Sequence, residues 1–486
     1  MTNVGRAREL IRLAGGAGAE EFCVCSGSRN SPLLAVLGAS DHRLFSFVDE
    51  RAAAFFALGR IKQHGKPVAV VTTSGTAVAE LLPATVEAYY SSLPLMLITA
   101  DRPARFRGTG APQAIEQEAI FGPYAVSSVE TWDGVSPIHL NIEFDEPLID
   151  APVIASVSEG PGGRVGAPSA PRVPRHARDD VAARRPLIIL GALAPRYRDR
   201  VRAFALKANV PVYAESLSGL REDPALAHLL IASGERMIGC GDFDGVIRVG
   251  SVPTLRFWRD LEHSQLQVIH CSASRFRGLS RGTIQAIDDL PDIEGRRDDE
   301  FFERDRQQAK AFEALLDAEP QSELAMIRKL SRELPKGARI YLGNSLPIRE
   351  WDLAATREPR GYVFEANRGA NGIDGQLSTF FGWCAPGEEN VAVIGDLTAL
   401  YDLNAPWIAP QLDARFRVVI VNNRGGRIFS RVPSLKNIDR TIIENAHDLT
   451  FEHWAKMWKI EESVTELCPD AEASRRAWQR YDELWS

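Results

Sequence analysis

The chain has 486 residues, 45% of them hydrophobic and 25% charged, with a formal net charge of −7. That length accommodates about three domains, and the acidic balance excludes the basic face that a nucleic-acid partner needs. No apolar run reaches the roughly 18 residues of a membrane span, so no membrane partner is expected either.

The opening stretch, MTNVGRARELIRLAGGAGAEEF, reads as an amphipathic helix rather than a secretion signal. Phe22–Cys25 reads as a strand, followed by Ser26-Gly27-Ser28-Arg29-Asn30. Arg29 there can clamp a carboxylate in bidentate fashion, or serve as an ordinary surface cation. Val48-Asp49-Glu50 reads as a strand end entering an amphipathic helix that runs to Gly59. Glu50 stands at the helix start, where the backbone dipole favours a carboxylate. The strand Val68–Val71 leads into Thr72-Thr73-Ser74-Gly75-Thr76-Ala77, a set of hydroxyls and backbone N–H groups at a helix start. A further buried strand is expected at Leu95–Thr99.

The run from Glu159 to Pro186 is rich in Gly, Pro and Arg and has no apolar period, so it reads as an interdomain linker, 161–185. Beyond it, Leu187–Leu190, Val246–Val249 and Leu266–His270 are short apolar runs. A charged helical stretch, Arg296–Ala318, separates them from Ile340–Leu342, Val391–Ile394 and Val418–Val421. Strands alternating with helices predict an α/β fold of parallel sheets covered on both faces. No internal sequence repeat is visible. The six cysteines form no CxxC pair and the histidines no HExxH, which argues against zinc chemistry and fits a reduced, cytoplasmic setting.

The densest chemistry lies at Gly395-Asp396-Leu397, with Asn422-Asn423-Arg424-Gly425-Gly426 after it, Asn423 coming 27 residues beyond Asp396. Each group follows an apolar strand, and open α/β sheets bind ligands past the carboxyl ends of their strands. Asp396 and Asn423 offer hard oxygens for Mg2+ (or Mn2+), which completes its shell with phosphate and water. Gly425 and Gly426 let the backbone approach a diphosphate. The plain alternative is a strand-turn-helix Asp and an Asn turn. The spacing resembles the thiamin diphosphate signature.

Taken in order, SGSRNSPL, DERAAAFFALG, TTSGTAVAELLPATVEA, ITADRP, PIHLNIEFDEPL, GNSLPIRE, NRGANGIDGQLST, GDLTALYDLN and NNRGGRIFSRVP resemble one family. It is the 2-succinyl-5-enolpyruvyl-6-hydroxy-3-cyclohexene-1-carboxylate (SEPHCHC) synthase family of menaquinone biosynthesis. The resemblance implies three domains: pyrimidine-binding (1–160), central structural (186–295) and diphosphate- and metal-binding (320–486). It implies a homodimer or homotetramer whose sites lie between the first domain of one chain and the last of another. It implies that Glu50 meets the aminopyrimidine and that Thr73, Ser74, Gly75, Gly395, Leu397 and Gly426 line the cofactor. Asp396, Asn423 and the Gly425 carbonyl become metal ligands, and Ile428 and Phe429 flank the thiazolium. Ser28, Arg29, Arg102, Gln113, Arg256 and Arg368 fall at substrate positions. The implied reaction decarboxylates 2-oxoglutarate and joins the remaining fragment to isochorismate; both carry carboxylates, which suits arginine.

The resemblance is incomplete at three polar substrate positions. Pro112 replaces an Asn, Leu255 a Lys, and Trp383-Cys384-Ala385-Pro386 lacks a family Arg. Each lost charge-assisted hydrogen bond costs about 1.5–3 kcal/mol; Arg424, Arg427 and Arg431 are candidate compensators. Two other readings therefore stand beside the first: a ThDP carboligase or decarboxylase with a different 2-oxoacid and acceptor, and a non-catalytic binding or scaffold protein. The tail Cys468–Ser486 reads as one helix, with the last sheet expected to lack an edge strand or to have it covered by that tail.

Overall fold

The computed structural model describes residues 1–149, 185–274, 276–432, 435 and 437–485. Apart from Arg185, the predicted linker lies outside the described residues.

Three five-stranded sheets carry the architecture. The first contains β1 (Glu21–Cys25), β2 (Arg43–Phe47), β3 (Val68–Thr72), β4 (Leu95–Asp101) and β5 (Ile138–Glu143). The second contains β6 (Pro186–Leu190), β7 (Val212–Ala214), β8 (Gly245–Val249), β9 (Gln267–Ser272) and β10 (Thr283–Ala286). The third contains β11 (Arg339–Leu342), β12 (Val363–Glu365), β13 (Asn390–Gly395), β14 (Phe416–Val421) and β15 (Val464–Leu467). All their strand pairings are parallel. The spatial orders are β2-β1-β3-β4-β5, β10-β9-β8-β6-β7 and β12-β11-β13-β14-β15. Each sheet thus sets its first strand between its second and third. The order reverses there, and the loops leaving that pair of strands open a crevice. In the first sheet these loops begin at Ser26 and Thr73; in the third they begin at Gly343 and Asp396.

The described residues pack as two compact units. One holds the first sheet together with Asn367–Glu388 and Thr398–Arg415; the other holds the second and third sheets.

In the first unit, β3 (VAVVT) is buried along its whole length, as a β-branched strand covered on both faces should be. The helix Glu50–His64 starts at Asp49, whose carboxylate accepts the Ala52 N–H at 2.9 Å. It stops at Gly65 in the left-handed region, φ 76°. Ala52 through Ile61 are buried without interruption. The helix is therefore enclosed on all sides, not amphipathic as expected, because the helix Gln376–Trp383 covers its second face. The two cross where a Cβ on Gly59 would lie 2.0 Å from the Thr379 carbonyl oxygen and one on Gly382 2.1 Å from that of Phe56.

In the second unit, buried Arg221 donates to the carbonyls of Asp352, Ala355 and Thr356 at 3.2, 2.8 and 2.9 Å. The Asp352 carboxylate accepts both the N–H and the hydroxyl of Ser216, at 2.7 and 2.6 Å. These bonds join the end of helix Leu346–Ala354 to the turn after β7. The tail forms the helix Ala471–Glu483, as expected. The third sheet does have its edge strand: β15 pairs with β14 from Val418↔Val464 to Val421↔Leu467. Among the described residues no helix is long and apolar enough to cross a membrane.

Candidate active site

In the first unit, Glu50 is the first residue of its helix and half-buried. Burial is the main cause that raises its pKa above the usual carboxylate range; its own backbone N–H opposes this, and the charges of Asp49 and Glu80 add to it. Glu50 also lies close enough to Cys25 to add to the burial that raises that thiol's pKa.

The loop after β3 follows. The hydroxyls of Thr72, Thr73 and Ser74 are all buried and have no hydrogen-bond partner. Gly75, at φ +87°, turns the chain, and its N–H donates to Gln117 Oε1 at 2.8 Å. Gln117 Nε2 donates in turn to the Ala100 carbonyl and to Asn141 Oδ1, at 3.0 and 2.9 Å. Thr99 gives its one proton to Asn141 Oδ1 at 2.8 Å, so the His139 Nε2 at 2.7 Å from the same hydroxyl carries the proton between them. Burial lowers His139 to about 4, keeping it neutral. This polar chain fixes the Thr73–Gly75 turn from beneath.

Three predicted substrate residues border that turn or its neighbours. Ser28 is exposed on the loop after β1, and a Cβ at adjacent Gly27 would lie 2.5 Å from Thr73 Cβ. Gln113, at φ +56°, packs over Gly75. Arg102 Nε donates to the Pro112 carbonyl at 2.8 Å, so the proline that replaces the expected amide still anchors an arginine. Arg29 is buried and donates to the Phe144 carbonyl at 3.0 Å, with Glu146 at 3.2 Å. Arg368 lies on a loop clamped from below by buried Glu87, whose carboxylate accepts the N–H groups of Gly369 and Ala370 at 2.8 and 2.6 Å.

In the second unit, β13 delivers Asp396 at its carboxyl end, only 2% exposed. Asp396 Oδ1 accepts the Leu397 N–H at 2.7 Å, and Oδ2 accepts the Gly425 N–H at 2.8 Å. His447 Nε2 stands 3.2 Å from the same Oδ2. Burial raises the Asp396 pKa, partly offset by those N–H groups and by His447. Past the end of β14, Asn423 gives its amide N–H groups to Glu323, while its Oδ1 is buried and without a partner. Gly425, at φ +130°, has no room for a side chain, since a Cβ would lie 2.6 Å from the Glu444 carbonyl oxygen. Its own carbonyl accepts the Arg427 N–H at 2.8 Å and keeps one lone pair. Gly395 closes β13, Gly426 is buried, Ile428 is half-buried and Phe429 is 37% exposed.

Two of the three candidate compensating arginines are engaged elsewhere. Arg427 pairs with buried Glu444 at 2.6 Å and donates to the Asn423 carbonyl at 3.0 Å. Arg431 stacks on Trp478 of the tail helix, 2.9 Å from the ring centroid. Arg424 is exposed at φ +64°. Exposed Arg256 opens the helix Arg256–Asp260 and pairs with Asp260, and Leu255, the residue in place of the family lysine, is buried near Trp258.

Sequence reasoning missed Glu87, Gln117, Glu323, Glu350 and His447. None falls in a local motif with the residue it supports. Their partners are distant in sequence, so no spacing could reveal them. Glu350 is fully buried beside Glu323, and burial, then the Glu323 charge, raises its pKa well above the usual range.

Residues 7–120 match the family of thiamine pyrophosphate enzymes through their N-terminal TPP binding domain. The parallel-sheet fold and this match define a thiamin-diphosphate-dependent enzyme. The chain is 42% identical to a 2-succinyl-5-enolpyruvyl-6-hydroxy-3-cyclohexene-1-carboxylate synthase of Bdellovibrio bacteriovorus, covering 100% of both proteins. It is 40% identical to the protein of that name from Akkermansia muciniphila, over 90% of this chain and 87% of the relative. For that of Geobacillus thermodenitrificans the identity is 34%, over 91% and 86%. The chain belongs to the 2-succinyl-5-enolpyruvyl-6-hydroxy-3-cyclohexene-1-carboxylate synthase family.

Proposed function

We propose that the protein decarboxylates 2-oxoglutarate and joins the four-carbon fragment to isochorismate, using thiamin diphosphate and Mg2+. The observation that carries this reading is the retention of Glu50, Asp396 and Asn423 in a chain alike to synthases of this name over its whole length. Neither a different substrate pair nor a non-catalytic role is favoured beside it.

The residues present fit the groups they would hold. Three orphaned hydroxyls at Thr72–Ser74 stand past the end of β3, and burial raises the pKa of Glu50, the carboxyl that would meet the ring nitrogen. Asp396, the free Oδ1 of Asn423 and the remaining lone pair of the Gly425 carbonyl supply three hard oxygens, a set that suits Mg2+ carrying diphosphate. Bound thiamin diphosphate supplies the electron sink for decarboxylation. Ser28, Arg29, Arg102, Gln113, Arg256 and Arg368 would take the substrate carboxylates. Two or more copies of this chain would complete the site, in the cytoplasm, where its cysteines would stay reduced.

The test is direct. Purified protein with thiamin diphosphate, MgCl2, 2-oxoglutarate and isochorismate should give an adduct whose mass is the sum of the substrates less carbon dioxide. Carbon dioxide release from another 2-oxoacid without that adduct would reject the substrate assignment.

A further inference from the structure

The Asn423 amide can face either way, and only one way serves a cation. Its nitrogen lies 3.0 and 3.1 Å from the two carboxylate oxygens of Glu323. Both Glu323 oxygens face that nitrogen and accept from it, which turns Oδ1 away. That oxygen is then the buried atom left without a partner.

Glu323 is itself firmly placed. It is 4% exposed and opens the helix Glu323–Glu333, capped by Ser322. Its backbone N–H donates to Ser474 Oγ of the tail helix at 3.0 Å, and the Asp470 N–H donates to the Gln321 carbonyl at 2.9 Å. The tail helix therefore registers the start of the Glu323 helix, and that helix registers the amide.

We propose that Glu323 is a positioning residue: it presents the Asn423 carbonyl oxygen to the divalent cation, and the tail helix holds it there. This rests on the metal reading given above. Outer-shell partners of this kind change metal affinity by about 10–100-fold.

The experiment titrates Mn2+ by electron paramagnetic resonance, with saturating thiamin diphosphate, into wild type and Glu323→Gln. Glutamine keeps the volume but can donate as well as accept, so it no longer selects the amide orientation. Melting of the cofactor-free proteins is measured in parallel. The proposal expects Glu323→Gln to remain folded and to bind Mn2+ about 10-fold or more weakly. If it unfolds, Glu323→Met makes the same test. Affinity within twofold of wild type overturns the proposal, as does unfolding of both variants, which would make Glu323 a fold residue only. Wild type that takes up no Mn2+ would instead overturn the metal reading itself.

Discussion

Glu50 shows what the proposed chemistry would ask of a single position. Asp49 caps the helix, which frees Glu50 from that duty. Burial then raises its carboxyl pKa, so the folded protein carries the acid at some cost in stability near neutral pH. Glu50→Gln removes that cost together with the titratable group. It should melt at or above the wild-type temperature while losing about 10²–10⁴-fold in kcat; turnover at the wild-type rate would refute the role. The placement of Asp396 and Asn423 just past the ends of β13 and β14 was legible in the sequence because an apolar run leads into each. His447 and Glu323 were not, since each meets its partner only through tertiary packing. Arg427 and Arg431 show the converse: their charge was readable, but their engagement by Glu444 and Trp478 was not.

Among the strands, what the sequence disclosed depended on position in the sheet. The apolar runs located β1, β3, β4, β6, β8, β9, β11, β13 and β14, the inner strands of all three sheets. The edges were harder. β10, β12 and β15 have no fully buried position, and β2 is mostly exposed, so each lacks the continuous apolar signal. β7 is buried but only three residues long. The helix Glu50–His64 looked amphipathic because nothing local announces the second helix that covers it. Their crossing makes a sharp prediction. In an isolated helix Gly59→Ala would gain about 1 kcal/mol. Here the added methyl meets backbone at 2.0 Å, and overpacking of about 1–3 kcal/mol wins. The variant should have a lower urea midpoint; an unchanged or higher one would mean that the helices part easily.

On the scale of the whole molecule, three sheets share one strand order although no sequence repeat is visible, because strand order follows from packing and handedness rather than from particular side chains. The N-terminal sheet does not finish its own unit. The helix Gln376–Trp383, with all its residues buried, belongs to that unit although it lies far along the chain. A fragment ending at Ile149 should therefore expose the apolar face of helix Glu50–His64 and aggregate. A soluble, cooperatively melting monomer of that fragment would disprove the dependence.

The same distant helix has a consequence for synthesis. At roughly 5–20 residues per second, a ribosome that has finished His64 needs roughly 15–65 s more to reach Trp383. Throughout that interval the N-terminal layer is half-clad, with glycine-notched backbone awaiting its complement. Such a nascent chain is a client for holding chaperones, and its folding is gated by translation of its second half rather than by the local speed of its strands and helices.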